Sequence, residues 1–71
     1  MDRAMLGQHL ARAERHVAQG ERHSARQREI VAELKDRVHD WQAAMELLHQ
    51  FEEMQALHIA DRDRLRSELG L

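Results

Sequence analysis

The chain has 71 residues, no cysteine and no proline, and its 34% of charged residues nearly cancel to a net charge of −2. That length allows one domain with a small core. The missing cysteine excludes disulfides and thiolate metal sites, and the balanced charge excludes the clustered basic face that nucleic acid requires.

From Asp2 to about Arg37 the pattern is helical. Leu6, Leu10, Ala13, Val17, Gly20, Ser24, Gln27, Val31, Leu34 and Val38 follow a 4-3-4-3 spacing, which places them on one stripe. Leu and Val hold both ends of the stripe, but Gly20, Ser24 and Gln27 occupy its middle. A mid-helix glycine costs roughly 1 kcal/mol relative to alanine, so packing must hold this helix. Residues 13–19 (Ala-Glu-Arg-His-Val-Ala-Gln) are echoed by residues 20–26 (Gly-Glu-Arg-His-Ser-Ala-Arg). A period of seven reuses one helical face, as coiled coils do.

The candidate break is Asp36-Arg37-Val38-His39-Asp40, with Asp40 as an N-cap for the turn that follows. Helix two then runs from about Trp41 to Leu69, its apolar positions being Ala44, Leu47, Leu48, Phe51, Met54, Leu65 and Leu69, and Gly70 ends it. Two helices of similar length with a short joint predict an all-α antiparallel hairpin, residues 2–37 and 41–69, forming a single domain. The alternative is one continuous helix in a coiled coil, because Val38 and Trp41 carry the stripe through the joint to Met45 and Leu48.

The stretches His16-Val17-Ala18-Gln19-Gly20-Glu21-Arg22-His23 and Ala25-Arg26-Gln27-Arg28-Glu29-Ile30-Val31-Ala32-Glu33-Leu34, with Leu47-Leu48, Phe51-Glu52-Glu53, Gln55, Leu57-His58 and Asp61-Arg62-Asp63-Arg64-Leu65, carry a resemblance. From about His9 to Leu69 the chain resembles a group of short bacterial proteins, chiefly alphaproteobacterial, of unknown function. Members commonly read Gly-His-Asp-Thr at the joint, where this chain has Val38-His39-Asp40-Trp41. The resemblance implies a helical hairpin and no particular activity.

Six histidines are the sequence's chemical excess. His9, His16 and His23 are spaced by seven, about 10 Å apart along a helix, so a shared metal would need ligands from the other helix. With the joint centred near His39, facing residues have numbers summing to about 78. Leu34 then meets Ala44, Val31 meets Leu47, Ser24 meets Met54 and Gly20 meets His58. His16 falls near Asp61 and His23 near Gln55. The half near the turn is expected to be an ordinary apolar core, and the distal half a polar cluster. Three readings of the cluster stand. His16, His58 and Asp61, with His23 as a fourth ligand, would suit a divalent transition metal. A buried hydrogen-bond network that fixes register is the second, in which charging of histidine makes stability respond to pH. Simple exposure of these side chains to solvent is the third. Glu46-Leu47-Leu48-His49 matches the Glu-x-x-His motif of di-iron bundles, but its phase points both ligands outward.

No serine is paired with a base and no glycine-rich loop could cradle phosphate, so the expectation is a protein that is not an enzyme and needs no cofactor. The apolar stripe is broader than a two-helix seam. Ile30, Val31, Leu34, Trp41, Met45, Leu48 and Phe51 are therefore expected to form a dimer interface, giving a four-helix bundle. A further protein partner is compatible with the Glu/Arg face, whose simplest reading is a solvated surface. The longest apolar runs are far short of a membrane span, the first residues lack the apolar core of a secretory leader, and lysine appears once. A cytoplasmic protein with no membrane or nucleic-acid partner follows as the expectation.

Overall fold

A computed structural model describes residues 2–71. It is an antiparallel hairpin of α1 (Arg3–Glu33) and α2 (Val38–Leu69), and the continuous helix is not formed. Asp2 caps α1, its carboxylate accepting from the Met5 N–H at 2.7 Å. At the other end of the chain, the Gly70 N–H donates to the Ser67 carbonyl and the Leu71 N–H to that of Arg66. This double closure requires a left-handed residue, and Gly70 supplies it at φ 77°. Arg3 then ties the two ends together by donating to the Leu69 carbonyl at 3.1 Å.

The joint lies earlier than the sequence suggests. Helix α1 stops at Glu33 rather than near Arg37, and α2 starts at Val38 rather than near Trp41. Arg37 precedes α2 without a side-chain cap, and Asp40 sits inside the first turn. An aspartate favours a helix N-terminus from either place, as a cap or as a first-turn charge beside the exposed N–H groups. Sequence alone therefore leaves the start uncertain by about one turn. The turn itself closes through the Arg37 N–H donating to the Leu34 carbonyl at 2.8 Å.

This earlier joint slides the helices by about one turn. The slip preserves which stripes face each other, since residues three and four apart share a face, but it changes the partners. Gly20 meets Gln55 instead of His58, Gln27 meets Ala44 where Leu34 was expected, and His23 meets Phe51 instead of Gln55. Met54, expected against Ser24, is 53% exposed, and Leu47, expected against Val31, is 41% exposed.

The apolar core is also redistributed. Its main cluster lies at the open end, where Leu6, Leu10 and Ala13 pack on Leu65 and Leu69. Towards the turn only Ala44 and Leu48 are buried, while Ile30, Val31 and Leu34 are half-buried. Between the two regions the seam is polar: Ser24 and Gln27 are buried, Gln27 donates to the Ala44 carbonyl at 2.8 Å, and Gln55 donates to the Val17 carbonyl at 2.9 Å.

Gly20 is what admits Gln55. A Cβ at position 20 would overlap the Gln55 side-chain amide. Alanine normally gains about 1 kcal/mol over glycine inside a helix, whereas losing the Gln55 hydrogen bond costs about 0.5–1.5 kcal/mol. Gly20→Ala is therefore expected to leave stability nearly unchanged, and the same substitution made on Gln55→Ala to stabilise by about 1 kcal/mol. A double-mutant cycle by chemical denaturation measures this, and additive effects would show that the two positions do not interlock.

Candidate functional site

The hairpin is a ribbon with two broad faces flanking the seam. One face carries the histidines. His16 and His58 meet across the helices with ring centroids 5.0 Å apart and planes tilted by 49°. Two turns closer to the joint, His23 lies against Phe51 at 5.9 Å. A shallow groove of 150 Å³ runs between them, lined by His16, Gly20, His23, Phe51, Gln55 and His58. It continues towards the open end as a second groove of 280 Å³, bordered by His9, Arg12, His16, Asp61 and Arg64.

Asp61 does not join the histidines. Its carboxylate accepts from Arg64 at 2.7 Å, and Arg64 also donates to Glu68 at 3.1 Å. These two bonds, that to Asp61 foremost, hold the Arg64 guanidinium above its ordinary pKa. All three side chains are largely exposed, so this arrangement is a surface cluster of small energetic weight. Of the proposed metal set, His16 and His58 are thus brought together, Asp61 is turned to Arg64, and His23 is turned to Phe51. Among the described residues no three histidine or acidic side chains converge on a point where they could share an ion. Glu46 and His49 both face outward, as their phase requires.

The opposite face carries a larger groove of 310 Å³ lined by Glu21, Ser24, Arg28, Glu52, Gln55, Ala56 and Ile59. Two buried polar atoms lie along this part of the seam without hydrogen-bond partners, Ser24 Oγ and Gln55 Oε1. The importance of Gln27 and Gln55 was only half visible in the sequence. Gln27 stands on the stripe in place of an apolar residue, which is a signal, whereas Gln55 needs the register before it can be assigned to Val17.

A comparison with known protein families, curated proteins and solved structures finds no match to this chain. Function must therefore be argued from the geometry. No helix among the described residues is long and apolar enough to cross a membrane.

Ser24 offers a direct check of the seam. It is only 3% exposed and its hydroxyl has no partner. Alanine removes the desolvated hydroxyl and improves helix propensity, so Ser24→Ala should raise stability by about 1–2 kcal/mol. The midpoint of urea denaturation reads the effect, and a loss of stability would show that the hydroxyl is satisfied in solution.

Proposed function

We propose that this protein is a non-catalytic self-association module, a homodimer in which two hairpins pack as a four-helix bundle. The observation that carries the reading is surface area. The chain exposes 5322 Å², whereas a compact monomer of 8.4 kDa exposes about 4600 Å². The excess of roughly 700 Å² approaches the ~800 Å² that each partner buries in a standard protein interface.

The shape explains the excess. The molecule measures 52 × 15 × 14 Å with a radius of gyration of 15.9 Å, against about 11 Å for a compact chain of this length. A rod two helices wide has no interior, and no large side chain among the described residues is fully buried. Such a rod becomes an ordinary bundle when a second copy covers one of its faces.

The residues available for covering lie mostly near the turn. Ile30, Val31, Leu34, Met45 and Phe51 are half-buried, and Trp41 is 37% exposed. Leu48, expected at the interface, is buried inside the hairpin and supports the interface from behind. Leu47 and Met54 extend the apolar surface along the histidine face. The charged side chains do not compete with this reading, because Arg26, Glu29 and Glu33 pair along one helix in solvent.

Sedimentation equilibrium at micromolar concentration is expected to return twice the 8.4 kDa chain mass, with a melting temperature that rises with protein concentration. Trp41→Glu should shift the equilibrium to monomer and lower helicity. A fully helical monomer at that concentration would overturn the proposal.

A further inference from the structure

Imidazole binds zinc, nickel and copper through a ring nitrogen, at about 2.0–2.1 Å for zinc. Adding the distance from that nitrogen to the ring centre, two imidazoles that share one ion at a tetrahedral angle have centroids about 5 Å apart. His16 and His58 stand at 5.0 Å, tilted by 49°. They come from different helices, so the backbone already holds the two rings at chelating distance and only side-chain rotation is needed to aim both nitrogens at one point. Neither ring makes a hydrogen bond to the described residues, so neither has one of these to surrender. Both residues are half-buried rather than sealed, and His16 borders a groove on either side of the pair, which leaves space for water.

We propose that His16 and His58 form a cross-helix, two-imidazole site for a late first-row divalent cation, the other coordination positions being taken by water. The preferred ions are those that imidazole suits, with copper held most tightly. The site is an open one, since no third histidine or acidic ligand joins the pair among the described residues. Its surroundings set a modest affinity: Arg12 and Arg64 lie along the adjoining groove, and the Asp61 carboxylate is engaged by Arg64. An ion held by both helices binds only the docked hairpin, so it stabilises the fold by mass action. This goes beyond self-association and does not depend on it.

The test uses the untagged full chain, melted by circular dichroism near neutral pH with increasing zinc chloride. At a zinc concentration about a hundred times the dissociation constant, the melting temperature should rise by roughly 10–20 °C. The shift should vanish in His16→Gln and in His58→Gln, and persist in His9→Gln and His23→Gln. Metal-free helicity of each variant is read first. Because a glutamine at either position could also undock the helices, a second measurement uses the parent alone: zinc should move the imidazole nitrogen resonances of His16 and His58 together. The proposal is overturned by an unmoved melting curve with zinc, nickel and copper, by a shift that survives in both His16→Gln and His58→Gln, or by resonance changes confined to other histidines. A chain that stays monomeric yet is stabilised through this pair would sink the dimer reading and leave the site standing.

Discussion

The insertion of Gln55 beside Gly20 is the constraint on which the rest of the hairpin depends. The two helices have little apolar surface to bury at mid-length, because Gly20, Ser24 and Gln27 replace large side chains there. A seam of leucines could slide by one turn and still bury leucines. A glutamine that reaches the Val17 carbonyl through a gap only glycine leaves cannot slide without losing both the bond and the gap. The Gln27 bond to the Ala44 carbonyl makes the same demand nearer the turn. Polar groups inside a helical interface commonly serve alignment in this way. The register they set also brings His16 to His58.

That alignment leaves the protein thin. Leu6, Leu10, Ala13, Leu65 and Leu69 close the open end, but the turn half is only partly covered, and surface ion pairs contribute little in compensation. Small domains without disulfides commonly rely on a partner. The uncovered surface and the polar seam are therefore complementary: the seam specifies how one chain folds on itself, and the exposed apolar residues are the surface on which the proposed self-association rests.

Much of this was legible from residue spacing. The 4-3 stripe, the polar middle of α1, the closing role of Gly70 and the outward phase of Glu46 and His49 all follow from helical periodicity, which is insensitive to where a helix begins. The joint was not so legible. With no glycine or proline near it, the one signal was Asp40, and a carboxylate stabilises a helix start from the cap or from the first turn alike. Displacing the joint by three or four residues kept the main stripes facing each other but exchanged the partners of Gly20, His23 and Gln27. The candidate site inherited that error: the histidines were placed on the correct face, yet His58 was matched to Gly20 and His16 to Asp61. The terminal core was underestimated for the same reason, since Leu10 finds Leu65 only in the shorter register.

The chain's sole lysine, Lys35, stands exposed in the turn at one tip of a 52 Å rod. Every other permanent side-chain cation is an arginine, whose guanidinium does not react with the reagents that acylate amines. One side-chain amine, at one pole, makes the turn an attachment point for a single spectroscopic reporter once the α-amino group has been blocked. In a two-fold bundle that reporter distinguishes the two ways a pair of hairpins can lie together. Joints at the same pole would bring two labels into close contact, whereas joints at opposite poles would hold them nearly a full rod length apart.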